Sequence, residues 1–452
     1  MRPSFRSADR HSRGRPRRRP VGQYRYVRTR WRVLFTCLDW LGWCAVRMVR
    51  TAREKLGVSR PLDAADPRSI LLVQLDHLGD AILSTVMLPL LRARYPEARI
   101  EVLAGPWNQE VFAAAAEVDR VHVSRLNRFA RKKRWLWLPS TFWWAWRLRK
   151  RRYDLAIDVR GEFPLALLIW LTGAPRRLGW DSGGGGFLLT ESPRWTPRRP
   201  EVDARLALLA ELGITPSGDE NNTGPQMDPG DDARRSVLRQ LNEFATPGRP
   251  FVVVHLGAGT SAKRWPLDSW QLLIARLIAE QNVQVAFIGG GDDRHLADTL
   301  ITQFASADVS NWAGKLSLTE TAALIEQADL FVGADSGPAH LAAAVGTPVV
   351  VLFSGTNDSR QWRPWGKNVA VVRHEVACSP CHRTECFWGD HPCMRGLSVS
   401  LVMLEIERHW REPGGRRAAQ WKAVGPLVEL RTPHSTISDN AVAPHPVEET
   451  PK

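Results

Sequence analysis

The sequence predicts an α/β protein built as two doubly wound halves, each a parallel sheet covered by helices on both faces. Two observations carry this. Short continuous apolar runs of strand length alternate with longer runs of helical periodicity along most of the chain. The alternation restarts after residues 215–250, where Pro216, Gly218, Gly224, Pro225, Pro229 and Gly230 cluster as at a domain boundary. A length of 452 residues accommodates two such cores with extensions.

In the first half, 70–75 is an apolar run of strand length, 81–94 reads as a helix and 100–103 as a second strand. Further strands are expected at 121–123, 155–159 and 177–179, with a helix at 165–171. The second half repeats the scheme, with strands at 251–255, 284–288, 330–332 and 349–353 and helices at 267–280, 294–305, 319–327 and 338–345. The expected domains are 66–235 and 248–412. A ligand would sit where the C-terminal ends of the strands face the cleft. Residues 1–30 are dominated by Arg and Pro, and residues 413–452 are Pro-rich and aperiodic, so both are expected to be disordered; 31–56 has the spacing of an interfacial helix.

The net charge of +15 is unevenly distributed. Residues 1–60 hold 17 Lys/Arg against three acids, and residues 125–152 hold 11 Lys/Arg and none, so the rest of the chain is net negative. These two basic appendages also carry eight of the 20 Trp, among them Trp40, Trp43, Trp143, Trp144 and Trp146. Basic residues interleaved with indoles suit the headgroup zone of an anionic bilayer. A solvated charged face with core aromatics is the plainer alternative, and nucleic acid the less favoured one. No run of about 18 uncharged apolar residues occurs, which predicts no transmembrane helix. The stretch 31–49 starts too late and is too interrupted by Arg32, Asp39 and Arg47 for a signal peptide, so a cytoplasmic location is expected.

Three loops at strand ends carry the candidate chemistry. Asp76-His77-Leu78-Gly79-Asp80 follows the first strand; Gly79 permits a tight turn, and Asp80 at the start of a helix is either a cap or a general base. The loop 257–266 opens the second half with small residues, the hydroxyls of Thr260 and Ser261, and the cation of Lys263, a set that suits phosphate, although it lacks the order of a P-loop and could be an ordinary turn. Gly333-Ala334-Asp335-Ser336-Gly337-Pro338-Ala339-His340 places Pro338 in a first helical turn, which leaves free N–H groups and a positive dipole end at the strand ends. There His340 would donate to a phosphate oxygen or serve as packing.

The stretch GADSGPAHLAAAVGTPVVVLF at 333–353, with HLGD at 77–80 and AKRWP at 262–266, resembles glycosyltransferase family 9, the ADP-heptose:lipopolysaccharide heptosyltransferases, and the resemblance spans residues 69–410. It implies the GT-B fold, two Rossmann-like domains facing a cleft, with the nucleotide-sugar held mainly by the C-terminal one. It implies inversion without a metal, and it matches Asp80 to the general base and Lys263 to the cation that stabilises the departing diphosphate. Thr260, Ser261, Asp335, Ser336, Gly337, Pro338 and His340 match donor-binding positions, and Asp292 falls at the ribose-contacting acid, within one residue of Asp293. The expected partners are ADP-heptose, a lipid-linked saccharide acceptor and an anionic membrane surface, with the enzyme peripheral to the inner membrane and no nucleic acid bound. A GT-B transferase using another nucleotide-sugar is the first alternative, and a nucleic-acid-binding protein the second. The basic segments and the C-terminal tail are not part of the family pattern.

Cys378, Cys381, Cys386 and Cys393 have spacing that would suit a tetrahedral structural zinc, with reduced cysteines packing a loop, or disulfides, as the alternatives; no cofactor is expected for catalysis.

Overall fold

The computed structural model describes residues 29–55, 66–125, 137–216, 224–246, 249–305 and 307–411. Of the segments expected to be disordered, residues 1–28 and 413–452 lie outside the described residues, while residues 29–30, counted with the first of them, open a helix. The first half is a five-stranded parallel sheet in the order β3-β2-β1-β4-β5, from β1 (Ser69–Gln74), β2 (Arg99–Ala104), β3 (Arg120–Val123), β4 (Leu155–Asp158) and β5 (Arg176–Gly179). The second is six-stranded, β11-β10-β9-β6-β7-β8, from β6 (Phe251–His255), β7 (Gln284–Ile288), β8 (Val309–Asn311), β9 (Leu330–Ala334), β10 (Val349–Phe353) and β11 (Val369–Arg373), again parallel throughout. These are the two Rossmann-like sheets of a GT-B fold.

The helices follow in chain order. The first half carries α1 (Thr29–Lys55), α2 (Leu78–Ser84), α3 (Met87–Arg94), α4 (Gln109–Ala113), α5 (Trp137–Arg149), α6 (Phe163–Leu171) and α7 (Glu201–Ala210). Then come α8 (Asp231–Leu241), α9 (Leu267–Gln281), α10 (Gly291–Ile301), α11 (Leu318–Glu326), α12 (Gly337–Ala344), α13 (Ser359–Trp362), α14 (Pro392–Arg395) and α15 (Val399–Arg411).

Every residue of β1, β6, β7, β9 and β10 is buried, as strands covered on both faces must be. Alternation of side chains divides each sheet between two layers. Leu71 and Val73 pack with Trp144 and Leu148 of α5 and Ile169 of α6. Ile70 and Leu72 pack with Ile82, Met87 and Phe112 in a cluster that continues into the second half through Val253, Phe331 and Leu341. Val252 and Val254 face Trp270 and Leu273 of α9 and Met403 of α15.

Three differences from the sequence reading have physical causes. The helix expected at 81–94 is two helices broken at Thr85 and Val86, where the Thr85 hydroxyl donates to the Ile82 carbonyl (2.8 Å) and so ends the first. The expected boundary at 235 falls inside α8, which rests on α11 of the second half: Arg234 forks onto Glu326 at 2.8 Å, Ser236 donates to Glu320 at 2.8 Å, and the Met227 N–H donates to Ala344. The basic segment at 125–152 is not an appendage throughout. Within it, α5 is a layer of the first core, with Trp144 only 7% exposed; residues 126–136 lie outside the described residues.

Candidate active site

Strand order sets where a ligand fits. In the second sheet β9 and β10 lie to one side of β6 and β7 and β8 to the other, so the crevice opens at the C-terminal ends of β6 and β9. The loop carrying Lys263 follows β6, and the loop carrying Asp335 and Ser336 follows β9. In the first sheet β1 is central, and its C-terminal end leads through His77 into α2, whose first turn holds Asp80.

The two halves meet through the first turns of α2 and α12. A Cβ on Gly79 would fall 2.8 Å from His340 Cδ2, and one on Gly337 would fall 2.9 Å from Leu78 Cδ2, so glycine at both positions lets the helix starts touch. The positive dipole ends of both helices thus lie side by side where the two halves meet. The same small space holds several charges. Burial pushes the His340 ring below its ordinary value, with Asp335 and Asp80 opposing that shift and Lys263 and Arg205 adding to it. Burial likewise lowers His77, which senses both Asp80 and Lys263. Asp80 of the first domain and Lys263 of the second therefore both lie within electrostatic reach of His77 and His340, where the two halves meet.

The backbone and side chain of Asp80 are both braced. The Asp80 carbonyl accepts from the Ser84 hydroxyl (2.7 Å) and from Gln74 Nε2 (2.9 Å), which fixes the turn. Its Oδ1 accepts from Arg205 Nη2 at 3.2 Å. Arg205, buried on α7, also pairs with Glu201 one turn earlier, and Glu201 Oε1 accepts from Gln361 Nε2 of the second domain at 2.8 Å. Asp80 Oδ2 has no protein partner among the described residues. Asp80 does not cap its helix, whose N-cap is His77.

On the opposite wall, Lys263 Nζ donates to Asp335 Oδ2 at 2.7 Å and to the Asp335 carbonyl at 3.1 Å, while Asn357 Nδ2 donates to the same carboxylate at 3.1 Å. Ser336 is the N-cap of α12 but makes no capping bond through its side chain; its hydroxyl lies 3.2 Å from His255 Nδ1, and His255 Nε2 lies 3.4 Å from Asp293 Oδ2. The Thr260 hydroxyl is buried with no partner among the described residues, as is His340 Nδ1, which leaves two polar atoms for a ligand or water to satisfy. Ser261 is different: its hydroxyl donates to the Thr384 carbonyl at 3.2 Å.

Of the adjacent acids, Asp293 is engaged internally. Its carboxylate accepts from the Gly290 N–H (3.0 Å), and Gly257 and Gly289 have no room for a Cβ beside it. Burial works against its charge, yet the His255 and Gly290 hydrogen bonds hold it below the usual carboxylate range. Asp292 is exposed at the start of α10.

The expected zinc at Cys378, Cys381, Cys386 and Cys393 is not supported. All four are free thiols that range from exposed (Cys378) to buried (Cys393), and no group of three or more His, Cys, Asp or Glu among the described residues could hold a metal ion. The segment instead lies on the Lys263 loop by other bonds, the Ala262 N–H donating to the Thr384 carbonyl and His391 Nε2 lying 3.1 Å from the Ala262 carbonyl, while the Cys381 N–H donates to Gly355 after β10 at 2.9 Å. The cysteine segment therefore helps to shape the loop that carries Thr260 and Lys263.

The family profile of "Glycosyltransferase family 9 (heptosyltransferase)" matches residues 144–390, more than half the chain. The chain belongs to glycosyltransferase family 9. Lipopolysaccharide heptosyltransferase 3 of Escherichia coli K12 is 29% identical to this family 9 enzyme over 300 residues, covering 64% of the chain and 83% of the relative. Lipopolysaccharide heptosyltransferase 2 of the same strain is 25% identical over 347 residues, covering 75% and 97%. Among solved structures, E. coli ADP-heptose lps heptosyltransferase II aligns with a TM-score of 0.62 at 24% identity over 75% of this chain and 98% of that one. A family 9 glycosyltransferase of Veillonella parvula DSM 2008 aligns with a TM-score of 0.64 at 20% identity, covering 75% and 96%. The motif residues Asp80, Lys263, Asp335 and His340 come together in this glycosyltransferase. Sequence reasoning missed Arg205, Glu201, Gln361, His255 and Asn357. The Glu201/Arg205 spacing of four is the signal of a helical ion pair and says nothing of an aspartate 125 positions away.

Proposed function

We propose that this enzyme transfers heptose from ADP-heptose to a lipid-linked lipopolysaccharide inner-core acceptor, with inversion, without a metal ion, at the cytoplasmic face of the inner membrane. The observation that carries the reading is the meeting of the α2 and α12 helix starts, which brings the Asp80 carboxylate of one domain and the Lys263 ammonium of the other around the same two histidines, His77 and His340. The N-terminal domain takes the acceptor and the C-terminal domain the nucleotide-sugar. Asp80 Oδ2 accepts the proton of the acceptor hydroxyl as its oxygen attacks the anomeric carbon, and the bond to ADP breaks on the opposite face of the sugar. Negative charge grows on the departing diphosphate. The Gly337 N–H, the dipole of α12 and the Lys263 ammonium stabilise it there, in place of a divalent cation. The unpartnered Thr260 hydroxyl donates to a phosphate oxygen, the Ser336 hydroxyl turns to another from the Ala334 carbonyl it meets at 3.1 Å, Ser261 shapes the same loop, and His340, kept neutral by burial, offers its Nδ1 edge. Asp335 holds Lys263 in place beside the sugar, and exposed Asp292 accepts from the ribose hydroxyls. Names of the relatives support the donor and acceptor classes: the solved relative is an ADP-heptose lps heptosyltransferase.

Calorimetric titration with ADP-heptose beside UDP- and GDP-sugars tests the donor. ADP-heptose should bind at least about tenfold more tightly, and preference for another base would overturn that assignment. Transfer should survive EDTA, whereas Lys263→Ala should lower kcat/KM by about 10²-fold or more, the usual loss when one stabilising group is removed. Dependence on added Mg²⁺ would contradict the role given to Lys263.

A further inference from the structure

Helix α1 is attached to the first domain by a small, specific contact. The Gly185 N–H donates to Asp39 Oδ1 at 2.7 Å, the Phe35 ring lies 5.9 Å from that of Phe163, and Gly42 sits so close to Phe187 that a Cβ would fall 2.4 Å from its ring. Gly184, at φ +83°, gives way to Phe35 in the same manner. Phe35, Asp39 and Gly42 are spaced four and three residues apart, which is one helical face. On other sides of the helix Val33, Leu34, Trp40 (60% exposed), Leu41, Trp43 (47%) and Met48 face outward.

Helix α5 repeats this division. Trp144 and Leu148 enter the core against α6, while Trp143 (49% exposed), Trp146 (60%) and Phe142 stay outside. Both helices border α6, which contacts α5 on one side and the Gly186–Leu188 turn beneath α1 on the other, and which exposes Trp170 itself. Cations accompany the rings. Lys150 Nζ lies 3.8 Å from the Trp146 ring centre, the Arg147 guanidinium 5.3 Å from that of Trp143, and Arg32 and Arg47 are exposed on α1. Negative charge is nearly absent: α5 has no carboxylate, and α1 has only Glu54 near its end and Asp39, which is buried in the Gly185 contact.

We propose that α1 and α5, with Trp170 between them, form a docking face for an anionic phospholipid bilayer. Exposed indoles and aliphatic side chains enter the headgroup boundary, and Arg32, Arg47, Arg147 and Lys150 meet lipid phosphates. A polyanion such as nucleic acid would match the cations but would leave the aliphatic side chains of α1 in water. No helix of the described residues is long and apolar enough to cross a membrane, so the face lies on the surface. The inference deepens the proposal of a lipid-linked acceptor, and vesicle binding reads it without turnover.

The test uses the full chain in co-sedimentation with vesicles of phosphatidylcholine alone and of two parts phosphatidylcholine to one part phosphatidylglycerol. The protein should bind the anionic vesicles and bind the neutral ones at least about tenfold less. The combined Trp40→Ala, Trp43→Ala, Trp143→Ala and Trp146→Ala variant removes only exposed rings, so it should fold, lose anionic-vesicle binding by at least about tenfold, and keep transfer to a detergent-soluble acceptor. The Arg32→Glu, Arg47→Glu, Arg147→Glu and Lys150→Glu variant should lose the preference for anionic lipid while retaining its unfolding transition. Absence of vesicle binding, undiminished binding by the Trp variant, or a dimer that the same Trp substitutions dissolve while vesicle binding is absent would each overturn the proposal. Failure of transfer on every acceptor alongside intact vesicle binding would instead overturn the proposed chemistry.

Discussion

Replacing Arg205 with methionine strands two carboxylates at once, because its guanidinium serves both Asp80 and Glu201 from a side chain only 5% exposed. Removing one partner of a buried pair costs about 3 kcal/mol, so Arg205→Met should lower the unfolding free energy by that order in denaturant titrations. It should also reduce kcat more than the donor KM, since Arg205 hydrogen-bonds Asp80 directly. Arg205→Lys should restore stability better than turnover, because a point charge cannot fork to two acids. Equal loss of kcat and donor affinity would mark a purely structural role. This is the scale at which the sequence is least informative. Asp80, Lys263 and Asp335 stand in loops whose small neighbours and helix starts announce them, whereas Arg205 lies in an ordinary helical pattern and acquires its role only when α7 is laid beside α2.

Among the elements, α2 and α12 define the site by the way their first turns meet at Gly79 and Gly337. His340 fills the space that a side chain at position 79 would occupy, and burial lowers its proton affinity. The unfolded chain takes up a proton at this histidine near pH 6.5, about the model-peptide value, while the folded protein resists it. The stability tied to the neutral ring is therefore present above that pH and lost as pH falls below it. Thermal unfolding between about pH 7.5 and about pH 5.5 should show a declining Tm, and His340→Asn should flatten the decline. A variant with the full slope would assign it elsewhere, His77 being the next candidate because burial lowers it too. Elements were read best where one physical signal dominates. Strands β6, β7 and β10 are each built on at least four consecutive apolar residues and fall at their expected bounds. The edge strands β8 and β11 escaped because Val309–Asn311 is too short for a period and Val369–Arg373 is only half-buried. The break between α2 and α3 escaped because a threonine hydroxyl turning back on its own helix leaves no mark on the apolar pattern.

For the molecule as a whole, the domains are held across the cleft by more than the helix starts. Glu110 of α4 accepts from the N–H groups of Leu318 and Thr319 at 3.0 and 3.2 Å, placing a carboxylate of the first domain on the N-terminus of α11 in the second. Gln361 reaches back to Glu201, which holds Arg205 and through it Asp80. Asp80 is thereby tied to both domains. Two doubly wound halves were legible from the repeated alternation of strand and helix, but this mutual placement was not, since periodicity reports what each element buries and not which half it faces. α1 and α5 show the same limit: their charge and Trp content were plain, yet only packing separates Trp144 in the core from Trp143 and Trp146 outside. The central claim is that Asp80 removes the acceptor proton opposite a diphosphate held by Lys263 and α12. Single-turnover transfer by Asp80→Asn, measured with donor affinity on the same preparation, tests it most directly. The account predicts a fall in kcat of about 10²-fold or more with donor Kd nearly unchanged. Retention of more than about a tenth of the wild-type rate, or an equal loss of donor affinity, would contradict it.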